Sequence, residues 1–146
     1  MTADERARHL AVVAARAAAD RKAQDIVALD VSERLVLTDV FLVASGRNER
    51  QVSAIVDAVE EALFREGAKV RRREGESQAR WVLLDFGDII VHVQHAEDRM
   101  YYALERLWKD CPVVELPADL EQPAEDDDDA DSGLAGTRRG WRGDRA

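Results

Sequence analysis

Two carboxylates and an imidazole lie within one short stretch, WVLLDFGDIIVHV, residues 81–93: Asp85, Asp88 and His92. Those residue types could hold a divalent cation or pass protons. Metal-dependent nucleotidyl transfer would need a Gly-Ser loop opening a helix, then two carboxylates two apart on one strand, so that both reach the same metal pair. Ser45-Gly46 ahead of a helix loosely meets the first condition. The second fails, because Asp85 and Asp88 are three apart across a turn and no D-x-D occurs outside the acidic end of the chain. His92 has no Ser or Cys placed to pair with it as a general base. Gly46 is a single glycine, not a phosphate-cradling G-x-x-x-x-G-K-S loop. The free N–H groups at 48–51 could hold an anion, with a satisfied helix cap as the ordinary alternative. Cys111, the one cysteine, has no C-x-x-C or His-Asp neighbourhood and reads as a quiet, partly buried thiol. No metal site and no cofactor is expected, and the chain is read as a non-enzyme.

The same stretch suggests a different chemistry. Read as a hairpin turning at Gly87, it puts Val82, Leu84, Phe86, Ile89, Val91 and Val93 on one wholly apolar face. The opposite face carries Trp81, Leu83, Asp85, Asp88, Ile90, His92 and Gln94. A tryptophan beside polar groups is the composition that protein interfaces concentrate at their energetic centres. The alternative is an ordinary solvated sheet face.

Elements to position these residues follow from periodicity. Residues 2–22 predict a helix, with Thr2 and Glu5 as a capping box and Leu10, Val13, Ala14, Ala17 and Ala18 as its apolar stripe. A strand is expected at 25–31, and the apolar stretch 35–46, interrupted at Thr38-Asp39, reads as two short pieces or one bent strand, with 40–44 a continuous apolar run of the kind covered on both faces. Asn48 and Gln51 cap a second helix in which Val52, Ile55, Val56, Val59 and Leu63 recur at helical spacing, up to Gly67. Residues 68–73 suggest a short strand. Its consecutive Arg71, Arg72 and Arg73 point to alternate faces and read as a charged edge, with an RNA or phosphate contact as the alternative. Asp98 is expected to cap a last helix through Lys109, with Tyr101, Leu104, Leu107 and Trp108 buried, and residues 113–116 to be extended. His9 and His95 read as surface residues.

The chain has 146 residues and a net charge of −9. From residue 117 onward there are nine acids and four arginines, a net of −5, which leaves −4 on the first 116. The expected organisation is therefore one α/β domain at 1–116, a mixed sheet flanked by helices. An acidic and then Gly/Arg-rich tail at 117–146 cannot offset its ordering entropy. The acidic balance disfavours broad or specific DNA binding and favours basic protein partners. No apolar run is long enough to cross a membrane, and the charged N-terminal residues argue against a signal peptide, so a cytoplasmic location is expected.

Together QDIVALDV, TDVFLVASGRNERQVSAIVDAV, Glu74-Gly75, WVLLDFGDIIVHV and DRMYYALERLW resemble the ribosomal silencing factor family, also called RsfS or Iojap, over about residues 5–109. The resemblance implies a nucleotidyltransferase-like fold without its active site. It implies binding to the large ribosomal subunit through that subunit's basic protein fourteen, with room for a peripheral rRNA contact, and a block on small-subunit joining. Repression of translation under nutrient limitation and a role in large-subunit biogenesis follow from the same resemblance. The partner-binding residues would be Trp81, Asp85, Asp88, His92, Arg99, Tyr101 and Tyr102, in a protein that is monomeric on the ribosome and able to pair with itself when free. A nucleotidyltransferase-like enzyme and a non-ribosomal adaptor are the rival readings. Two places depart from the common pattern: Ser45-Gly46-Arg47-Asn48 stands where many relatives have Thr-Gly-Thr-Ser, and Gln94 where an apolar residue is common.

Overall fold

The computed structural model describes residues 4–101, 106 and 108–120. Thr2, Tyr102, Leu104, Leu107 and the expected tail from 121 onward lie outside the described residues, as do the side chains of Met100 and Tyr101.

Helix α1 spans Glu5–Asp20. The helix start differs from the expected capping box: Asp4 is the cap, its side chain accepting from the backbone N–H of Ala7. An aspartate there satisfies an otherwise orphaned N–H and sets a negative charge at the positive end of the helix dipole. The buried face is almost wholly alanine with Leu10, which lets α1 lie close against its neighbours. Strands β1 (Gln24–Asp30) and β2 (Val40–Gly46) follow, and every residue of β2 is buried. Helix α2 spans Glu49–Arg65, capped by Asn48 through Gln51 N–H. The Gln51 side chain also accepts from Arg47 N–H and donates to the carbonyls of Arg21 and Lys22, joining the start of α2 to the end of α1.

Three further strands complete the sheet: β3 (Arg72–Glu74), β4 (Trp81–Asp85) and β5 (Ile89–His95). Their spatial order is β1-β2-β5-β4-β3. Only β2 and β5 run parallel; the other neighbours are antiparallel. The arginine strand β3 is an exposed edge, with Arg73 paired to Glu60 and Glu76 and Arg72 to Glu74. At the opposite edge, Val113 bridges to Leu29.

One face of the sheet is sealed by α1 and α2. Ala28, Leu42, Ala44, Val82, Leu84, Ile89, Val91 and Val93 pack there against Leu10, Ala14, Val52, Ile55, Val59 and Leu63. The alternation read from the hairpin is the one observed. Packing also runs past residue 116: a short 3-10 helix, Ala118–Leu120, brings Leu120 into this core at 8% exposure.

Helix α3, Ala96–Tyr101, begins two residues before the expected cap. Asp98 sits inside it, and His95 is buried rather than on the surface, its Nδ1 accepting from Glu97 N–H. Asp98 instead holds Arg80, which also reaches Glu97 and Glu49. The Arg80 hydrogen bond keeps the Asp98 carboxyl below its usual range. Trp108 falls in a turn at 108–110 and is half-buried, whereas the sequence suggests helix through Lys109.

Among the described glycines, Gly75 leaves a side chain the least room. Its φ is +84°, and a Cβ there would lie 2.1 Å from the Trp81 carbonyl oxygen. Gly67 has a similar φ of +85° but nothing nearer than 3.9 Å. Alanine at Gly67 should therefore cost only the left-handed backbone, roughly 1–2 kcal/mol. Alanine at Gly75 should cost distinctly more, because backbone has to move. Denaturant midpoints of the two variants check this; equal losses would show that the contact at Gly75 relaxes freely.

Candidate functional site

The sheet face away from α1 and α2 is built in rows, because paired strands place partners side by side. At one end Gln24, Ser45, Gln94 and Trp81 lie abreast. Val27, Val43, His92 and Leu83 form the next row, and Leu29, Phe41, Ile90 and Asp85 the third. This face has a smaller cover of its own. Leu29, Val31, Phe41 and Cys111 form a second apolar cluster, with Val27, Leu35, Ile90 and Trp108 against it.

Aromatic rings cross the face in sequence. The Trp81 indole is tilted against the His92 ring at 6.3 Å. His92 meets Phe41 edge-on at 4.9 Å, and Phe41 meets Trp108 edge-on at 4.9 Å. The Arg34 guanidinium lies 5.9 Å from the Trp108 ring centroid. Edge-to-face contacts of this kind fix ring orientation as well as burying area.

His92 is the joint of this ladder. It is 6% exposed, and its Nδ1 accepts a 3.2 Å hydrogen bond from Trp81 Nε1–H. That donor assigns the imidazole hydrogen to Nε2, which is buried and meets no hydrogen-bond partner among the described residues. Burial pushes the His92 pKa down from 6.5 to about 4, so the ring is neutral near pH 7. His92 thus orients Trp81 from below and does not itself reach the surface.

The other expected residues separate into surface and support. Trp81 and Asp85 are partly buried on the open face, and Asp88 is exposed. Asp85 Oδ1 accepts from Gly87 N–H at 2.8 Å, which fixes the hairpin turn; Gly87 has φ +92°. Arg99 points inward: it is 6% exposed, and its Nη1 donates to Ser45 Oγ, which donates to the Gln24 carbonyl. The side chains of Tyr101 and Tyr102 lie outside the described residues. Among the described residues no three His, Cys, Asp or Glu side chains converge as metal ligands would, and no helix is long and apolar enough to cross a membrane.

Phe41 was not singled out from sequence. It belongs to a run of apolar residues on a strand buried on both faces, where alternation carries no signal. Arg80 was missed too; its three acidic partners come from two different helices.

These features define an α/β domain with one sealed sheet face and one partly open face bearing aromatic and acidic side chains. The family described as "Ribosomal silencing factor during starvation" matches residues 4–139. A ribosomal silencing factor RsfS of Halalkalibacterium halodurans is 44% identical over 104 residues, 71% of this chain and 89% of that protein. The chloroplastic protein Iojap of Zea mays is 32% identical over 112 residues, covering 77% of this chain and 49% of its own length. A crystal structure of a Chromobacterium violaceum protein superposes with a TM-score of 0.67 at 34% identity, covering 75% of this chain and 88% of that one. One from Bacillus halodurans gives 0.65 at 42% identity, covering 77% and 100%. The chain belongs to the ribosomal silencing factor family.

The buried neutral imidazole has a pH signature. Unfolded His92 takes up a proton below about pH 6.5, whereas the folded form resists until about pH 4. The stability it provides is complete above pH 6.5 and is lost as pH falls between these values, by about 3 kcal/mol in all. His92→Leu should flatten that part of the stability–pH curve relative to the parent chain. Parallel curves for the two proteins would show that His92 titrates normally.

Proposed function

We propose that the open sheet face docks on protein fourteen of the large ribosomal subunit and that the domain's bulk then keeps the small subunit from joining. Translation falls when nutrients are short, by occupancy and not by catalysis. The observation that carries this reading is the fixed, partly exposed indole of Trp81, locked by a buried neutral histidine and lying on the same face as Asp85, with Asp88 exposed at the hairpin turn. A preordered aromatic loses little side-chain entropy on binding, and carboxylates suit the basic surfaces typical of ribosomal proteins. Family membership supports the ribosomal setting. Trp81 acts as the anchor and Asp88 steers approach. Asp85 contributes its charge while holding the turn, and His92 and Arg99 position the face from within.

A domain docked over a standard interface, about 1,600 Å² in total, reaches nanomolar affinity when its anchors are well formed. Steric exclusion asks for nothing further, since the joining surface has only to be occupied. The packing of Leu120 into the core supports a minimal binding unit that runs to residue 120.

Trp81→Ala should weaken binding to purified large subunits by about 2 kcal/mol, roughly 30-fold, with the fold intact. Sucrose-gradient sedimentation reads this directly: the parent chain should travel with large subunits and reduce joined particles, and the variant should do neither at the same concentration. Co-sedimentation of the variant at the parent's level would remove Trp81 from the interface. A chain ending at residue 120 should bind within a few-fold of the full chain; a large loss would assign binding to residues 121–146.

A further inference from the structure

Residues 31–39 form a closed loop at the end of the open face. Val31 N–H donates to the Asp39 carbonyl, and Arg34 and Leu35 N–H both return to the Val31 carbonyl. Ser32 is tied to Asp30 Oδ1 through its N–H and its hydroxyl. The loop is joined to the hairpin turn as well: Thr38 Oγ1 donates to the Gly87 carbonyl, and Asp39 and Val40 N–H to the Asp88 carbonyl. Leu35 turns in against the cluster that holds Phe41 and Trp108. Val36 and Leu37 turn out, 96% and 85% exposed. Scattered single apolar residues on a surface need no explanation, but two adjacent ones held outward on a hydrogen-bonded loop present a preformed apolar knob.

We propose that the Val36–Leu37 tip is a second anchor of the docking face, seated in an apolar pocket on a basic protein surface. This rests on the reading of Trp81 as the first anchor. Two observations choose that occupant. The tip continues the open face: Trp81, Leu83 and Asp85 run along β4 for roughly 13 Å, and the Gly87–Asp88 turn that follows is the part bonded to the loop. The surroundings are acidic, with Glu33, Asp39, Asp85 and Asp88 set against Arg71 near Gly87, while Arg34 is matched by Asp110. An apolar knob on a loop whose own and adjoining turn residues are mostly acidic fits a pocket flanked by lysine or arginine, and two anchors at opposite ends of one face would set the angle at which the domain sits.

The test uses the full chain and purified large subunits. The double substitution Val36→Ser, Leu37→Ser should leave the thermal midpoint unchanged, since both side chains are already in water, and should weaken binding at least tenfold. Trp81→Ala is measured in parallel. If Trp81→Ala weakens binding and the double variant does not, the tip is no anchor and the inference fails alone. If neither weakens binding, the docking-face reading fails with it. If the parent chain self-associates and the double variant abolishes that without changing subunit binding, the pocket belongs to a second copy of the chain, which also overturns the inference.

Discussion

The alternation of β5 is the constraint on which the molecule depends. This strand lies inside the sheet, parallel to β2 on one side and antiparallel to β4 on the other, so its backbone groups are fully committed. Its side chains must therefore satisfy two different layers at once. Ile89, Val91 and Val93 complete the core beneath α1 and α2, while Ile90, His92 and Gln94 support the other face. A slip of one residue would send His92 and Gln94 into the helix layer and put three β-branched residues under Trp81. Register here decides both stability and what the protein shows to its surroundings.

His92 illustrates how burial turns a titratable group into a structural one. Removed from water, the ring stays neutral, and being neutral it can accept from the Trp81 indole. Phe41 packs its far edge, and Trp108 packs Phe41 in turn. The orientation of one partly exposed tryptophan thus depends on rings contributed by β5, β2 and the turn after α3. Arg99 and Ser45 serve the same face in the row that holds Trp81, where a buried guanidinium donates to a hydroxyl on β2.

The two faces are also covered differently. Over the helix layer, small alanines let α1 sit close, so the sheet is sealed there mainly by apolar contact. Ion pairs tie further elements to α2: Arg80 bridges Glu49 of α2 and Asp98 of α3, and Arg73 holds the β3 edge to Glu60. These pairs face solvent and are screened, so they direct elements more than they stabilise them.

Much was decided by sequence alone because local periodicity is a local property. The α2 stripe, the hairpin turning at Gly87, the apolar face of 82–93 and the Asn48–Gln51 cap each depend on spacings of a few residues, and each was legible. So was family resemblance, carried by whole motifs. What tertiary structure decided is depth and direction. His92, His95 and Arg99 are polar residues whose burial depends on what distant segments lay over them, and no spacing records that. Asp4 took the cap in place of Thr2 because Ala7 N–H lies within its reach. Asp98 left the cap position to pair with Arg80, eighteen residues away. Val36 and Leu37 read as part of an apolar run, yet stand in water because the loop that carries them closes on Asp39 and on the hairpin turn. Sequence specifies which side chains share a face; only the assembled chain determines which of them the solvent can touch.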